Sequence, residues 1–197
     1  GPRSLCRAPL LIVHKSPPAG TGRIRLGVSD ADVVFNETYY GYSAHDHSRG
    51  ALLVRYLALL VGSKPSLWYT LMISGEFGVE REVVEKNIID HIPVRSLDSL
   101  SPDILGQITP LFDALARQDN PVNWAAVDTW AATVYGLRKQ DLQVIDDTLR
   151  FNLPFASNRK AAQKPPAQDE VRAFCEALEN ELQSWAEREG STVKAQP

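Results

Sequence analysis

No run of about 18 or more uncharged apolar residues occurs in this 197-residue chain, so the usual signature of a membrane-spanning helix is missing. The closest approach, Leu52 to Val61, is interrupted by Arg55. No secretory leader stands at the start. Cysteine is scarce: Cys6 and Cys175 lie near opposite ends. A disulfide between them is one reading; two separate thiols in a reducing cytoplasm is the preferred one. A large excess of one charge is also missing. The net charge of −3 argues against a protein that coats nucleic acid indiscriminately, because that affinity comes mainly from neutralising phosphates. No internal repeat is apparent. The chain begins Gly1-Pro2 without methionine, which reads as a tag scar on an excised piece whose missing neighbour is N-terminal.

What charge there is falls unevenly. Before Asp30 the chain carries Arg3, Arg7, Lys15, Arg23 and Arg25 and no acidic residue, whereas the part after Ser101 is rich in Asp and Glu. That asymmetry permits one basic face on an acidic body.

The first 45 or so residues read as strands. Arg7 to Lys15 is a continuous apolar run with polar ends, the pattern of a buried strand. Ser16 to Gly22 is dense in turn residues. Arg23 to Val28 alternates, which sends Ile24 and Leu26 to the core and both arginines to the other side. After a turn at Asp30 to Asp32, Val33 to Phe35 is expected to begin another strand, and Tyr39 to Tyr42 a further one.

Helices follow. Leu52, Leu53, Tyr56, Leu57, Leu59 and Leu60 give Ser48 to Val61 a broad apolar face. Gly62 to Pro65 ends that helix and prepares a second over Ser66 to Ser74. Gly75 and Gly78 around Phe77 suggest a helix C-cap and turn, and Pro93 ends the segment of Val83, Ile88, Ile89 and Ile92. Ser101-Pro102-Asp103 is a helix start, and Ile104 to Leu115 follows at helical spacing. Asp119-Asn120-Pro121 breaks it. A further helix runs from Trp124 to Val134, ending near Gly136, and another from Lys139 to Leu149. The expected fold is α+β: a small, mostly antiparallel sheet at the N-terminal end packed by helices, then a mainly helical C-terminal half. The expected division is a tag scar at 1–2, a sheet-plus-helices region at 3–98, a helical extension at 99–157, a linker at 158–168, a terminal helix at 169–189 and a disordered tail at 190–197.

Three features invite chemistry and have plainer alternatives. His45-Asp46-His47 could hold a metal or supply a base, but a solvated loop whose polar tips face a partner is the simpler reading. Tyr39, Tyr40 and Tyr42 could stack on bases. Strand alternation places Tyr40 and Tyr42 together and Tyr39 opposite, so some of them are core. Arg23 and Arg25 are better phosphate candidates, since the guanidinium fork matches phosphate geometry. The acidic final helix could dock on a basic partner domain.

The order of these elements carries a resemblance. VVFNETYYGYS, then ALLVRYLALLVGSKPSLWYTLMISGEFGVEREVVEKNIIDHIPV, resembles the C-terminal target-recognition region of N6-adenine DNA methyltransferases and their fused type II restriction-modification relatives. Ala8 to Ile12 with the Arg23 strand is similar to its opening strands. Trp124, Val127, Asp128 and Trp130 running into Tyr135-Gly136-Leu137, and Ile145 to Leu149 closing on Asn152 to Phe155, resemble its helical end.

Such methylases need an Asn/Asp-Pro-Pro-aromatic tetrapeptide to hold the flipped adenine. Pro17-Pro18 and Pro165-Pro166 have neither flank, and Gly20-Thr21-Gly22 lies between the expected hairpin strands rather than before a helix. A convincing nuclease signature is also missing. The resemblance therefore implies a non-catalytic, cytoplasmic recognition domain for double-stranded DNA. It would have no cofactor of its own; S-adenosylmethionine would belong to the missing N-terminal methyltransferase domain. The candidate contacts are Lys15, Arg23 and Arg25 for phosphate, and the Ser43 to Arg49 loop, with His45, His47 and Arg49, for base edges. The competing readings are an interaction scaffold of a bacterial defence enzyme and a metal-dependent hydrolase centred on His45 to His47.

Overall fold

A computed structural model describes residues 6–16, 23–74, 83–157, 165–188, 190 and 192–195. The tag scar at 1–2, the Gly75–Gly78 turn and most of the 16–22 and 158–168 loops lie outside them. The fold is α+β. Three strands, β1 (Leu10–His14), β2 (Leu26–Ser29) and β3 (Tyr39–Ser43), form an antiparallel sheet in the order β2-β1-β3. Seven helices follow among the described residues: α1 (Gly50–Gly62), α2 (Lys64–Ile73), α3 (Lys86–Asp90), α4 (Pro102–Arg117), α5 (Pro121–Tyr135), α6 (Lys139–Ser157) and α7 (Gln168–Arg188).

β1 is apolar from Leu10 to Val13 because it is the middle strand. Leu11 and Val13 pack inward beside Leu26, Val28, Tyr40 and Tyr42, while Ile12 pairs between two glycines, Gly27 and Gly41, on the outer face. The expected strand at Val33 to Phe35 is not formed. Both edges of β1 are already occupied, and this segment instead crosses the outer face. Its Val33 N–H donates to the Cys6 carbonyl, and the Phe35 ring lies over Gly41, where a Cβ would fall 2.0 Å from the ring. β-branched composition gave the strand signal there, yet the segment covers the sheet with Phe35 rather than pairing along an edge.

α1 explains the breadth of its apolar face, because it is covered on two sides. Val54, Ala58 and Val61 meet the sheet, α2 and α3. Tyr56, Leu59 and Leu60 meet α4 and α5 around Ile108, Val127, Trp130 and Val134. The expected regions at 3–98 and 99–157 consequently fall in one compact unit, 1–159. The break after α1 narrows to Ser63 alone, whose Oγ donates to the Leu60 carbonyl, and α2 starts at Lys64 with Pro65 in its first turn. α4 starts as its sequence indicates, with Ser101 Oγ accepting from Ile104 N, whereas α5 starts at Pro121, three residues before the expected Trp124, with Asn120 Oδ1 accepting from Asn123 N; a proline opens each helix. Gly136, at φ 68°, closes α5 in the left-handed conformation that glycine adopts without strain. The second unit, 160–197, contains α7, and the Ala195 N–H donates to Glu179 within it.

Tyr56 is fully buried, with its hydroxyl donating to the Arg95 carbonyl at 3.0 Å. Burial, then the neighbouring Tyr135, pushes the phenol up to about 12. A folded-state pKa above the unfolded value favours the neutral phenol. Its contribution is complete below the unfolded pKa of about 10 and is lost as pH rises toward the folded value. Burial, followed by the bond to Asp90, raises Tyr42 in the same direction. Unfolding free energy from urea melts should therefore be level from about pH 8 to 10 and fall beyond it, and Tyr56→Phe should flatten part of that fall. A level profile through pH 12 would contradict this burial.

Candidate nucleic-acid interface

The seven candidate residues do not form one cluster. β1 and β3 run antiparallel, so Lys15 lies past the end of β1 beside Thr38, while Ser43 lies at the far end beside Leu10. The five residues of β1 separate the two groups by roughly 13 Å at about 3.3 Å per step.

The first group is cationic. His14 N donates to the Arg25 carbonyl, which puts Arg25 and Lys15 at the same end of the sheet. Arg25 is exposed, and among the described residues neither cation is paired with a carboxylate. Lys15 Nζ sits 5.1 Å from the Tyr40 ring centroid, which steadies the side chain and leaves its charge unneutralised. Beside Arg25 a cavity of about 560 Å³ opens on the outer face among Ile12, Gly27, Phe35 and Tyr39. Tyr39 stands edge-on to His14 at 4.9 Å between centroids and is 38 % exposed. It is the tyrosine of the three that reaches solvent on that face; Tyr40 and Tyr42 pack against the core.

Arg23 does not belong with them. The expectation that Arg23 and Arg25 share one strand face is corrected, because the regular strand begins only at Leu26 and Arg23 turns inward. Its Nη1 and Nη2 donate to both Asp128 oxygens at 3.0 and 2.6 Å, Nη1 also reaches the Gly62 carbonyl, and the guanidinium lies 4.6 Å from the Trp124 ring centroid. With its donors occupied in this way, Arg23 is a structural cation and is withdrawn as a phosphate contact.

The second group is held largely by its own loop. Ser43 Oγ donates its one proton to the Arg7 carbonyl, so His45 donates from Nδ1 to that oxygen at 2.9 Å. His45 Nε2 lies 3.0 Å from Asp46. Arg49 is paired with Asp98, and its backbone N–H donates to His47 Nδ1. His47 is thereby left with Nε2 as the outward donor of the loop. Among the described residues no three His, Cys, Asp or Glu side chains gather at a metal-binding distance. No helix among the described residues is long and apolar enough to cross a membrane.

Sequence reading missed the arrangement around Trp124. Arg23, Lys64, Asp119, Trp124 and Asp128 come from four different segments and together line a cavity of about 740 Å³. Asp128 accepts from Arg23 and from the Lys64 backbone N–H, and Asp119 accepts from Trp124 Nε1 at 2.6 Å. No local pattern announces a site whose key pair is 105 residues apart.

No family model, curated protein or solved structure matches this chain.

Proposed function

We propose that this chain is a DNA target-recognition domain of an N6-adenine methyltransferase or a fused restriction-modification enzyme, non-catalytic by itself. On this reading it works in the cytoplasm beside a methyltransferase domain that binds S-adenosylmethionine. The observation that carries the reading is the pair Lys15 and Arg25, two cations without a carboxylate partner among the described residues, at one end of the sheet. The resemblance in element order adds support. In this role Lys15 and Arg25 take phosphates and fix the register, while Tyr39 and the loop donor of His47 lie where base edges could be read.

The pair is tested by reversing both charges. Lys15→Glu with Arg25→Glu should weaken binding of a fluorescent duplex by about tenfold or more and flatten the slope of log K against log salt by about 2. An unchanged affinity and slope in a folded double variant would remove both residues from the interface.

A specific feature supports a second role in association. Within α7, Phe174, Leu178, Leu182 and Trp185 recur at helical spacing, and Phe174 and Trp185 are 66 % and 63 % exposed. The rest of that helix carries six acidic residues against two arginines, as suits contact with a basic protein surface. Scaffolding of this kind predicts association that does not require DNA.

A further inference from the structure

We propose that the free edge of β2 and the groove beside it bind an extended polypeptide segment, which joins the sheet as a fourth strand. This goes beyond the DNA reading and shares only Arg25 with it. In the β1–β2 ladder the pairs that exchange hydrogen bonds are His14–Arg25, Ile12–Gly27 and Leu10–Ser29. By antiparallel alternation, the N–H and C=O groups of Leu26 and Val28 point away from β1. Among the described residues nothing bonds to them.

Such an edge is normally blunted by lysine, proline or a bulge, and Leu-Gly-Val-Ser has none of these. It borders a groove instead. α1 supplies the floor through Ala58 and Leu59, and α4 and α5 supply the opposite wall through Phe112, Leu115, Ala116 and Trp124. The 270 Å³ of this groove shares Leu26, Asp119 and Trp124 with the 740 Å³ cavity, and the two lie end to end as a channel along the chain from Arg23 to Val28 in this proposal. That length accommodates about six extended residues.

Backbone groups on one side and apolar side chains on the other are what strand addition requires: main-chain bonds hold the segment and pockets take alternate side chains. Charge defines the occupant further. Arg23 is neutralised by Asp128 and Lys64 by Asp146, whereas Arg25 at the channel's end has no carboxylate partner among the described residues. The fitting partner is an extended segment of another protein with alternating apolar residues and a carboxylate set opposite Arg25.

The test uses the full chain and a library of fluorescent hexapeptides in which Val, Leu, Ile or Phe alternates with Ser, Thr or Glu. Glu-containing members are expected to bind. Binding should slow exchange of the Leu26 and Val28 amide protons by roughly tenfold or more. Val28→Pro, which deletes one edge donor, and Ala116→Trp, which fills the groove from an exposed helix position, should each weaken binding about tenfold. Ala116→Trp should leave duplex DNA affinity unchanged, which separates this site from the DNA reading. The proposal is overturned by a library without a binder, or by binders indifferent to both substitutions. It is equally overturned if the two amides are already protected in the free protein, or if the free protein dimerises and Val28→Pro abolishes the dimer; those results assign the edge to the chain itself or to a second copy.

Discussion

Asp128→Ala is expected to destabilise the protein by about 2–4 kcal/mol, somewhat below the range for removing one partner of a fully buried ion pair because this pair is part-buried. Its carboxylate side chain is 15 % exposed and Arg23 is 16 % exposed, so removing it leaves a guanidinium with little water to replace the lost bonds. The same carboxylate accepts the Lys64 N–H at the start of α2. One substitution therefore undoes a bidentate pair and a helix-terminal bond together. Thermal denaturation should show a fall of about 10 °C, given roughly 2–4 °C per kcal/mol at this chain length. Arg23→Met with Asp128→Leu should recover most of the loss, because two apolar residues leave no charge uncompensated. A single alanine variant that melts with the parent protein would show that the pair is not the clasp described.

Trp130→Ala should cost about 3–5 kcal/mol, through the lost transfer energy of the ring and the cavity it leaves. Trp130 is 3 % exposed, stands edge-on to Tyr56 at 5.9 Å between centroids, and donates from Nε1 to the Ile104 carbonyl. It joins α5 to α1 through the ring and to α4 through the nitrogen. Trp130→Phe separates these contributions: it keeps an aromatic ring at the edge-on contact and gives up the single bond, for about 1 kcal/mol beyond the smaller ring's own cost. Urea melts of the two variants measure the difference directly. Equal losses would mean that ring size matters little at this position.

How far the sequence disclosed these features depended on the range of the interaction. The start of α4 was legible because Ser101 and Pro102 act within three residues, whereas Asn120-Pro121 signals a helix break as much as the helix start that it also supplies. The breadth of the α1 stripe was legible too, although not its cause, which is a helix pressed between the sheet and a helical pair. Val33 to Phe35 misled because strand propensity records a liking for pleated, half-buried surfaces. The Phe35 ring satisfies that liking by covering Gly41 from a crossing segment. Arg23 misled for a related reason. Alternation placed it outward, but Asp128, far along the chain, turned it in.

The candidate interface was legible as a set of residue types and not as an arrangement. Lys15 and Arg25 do fall together at one sheet end. Ser43, His45, His47 and Arg49 fall at the other, and all four of those side chains are held by bonds to other residues. Antiparallel topology makes that separation unavoidable. A duplex lying along the sheet could meet both ends, with phosphate contact concentrated at Lys15 and Arg25.

The most direct test of recognition is selection from a pool of randomised duplexes by the full chain at moderate salt, followed by sequencing of the bound fraction. A recognition domain predicts enrichment of a short base pattern, with an affinity at least about tenfold above that of the unselected pool. A bound fraction with the same base composition as the starting pool would contradict it.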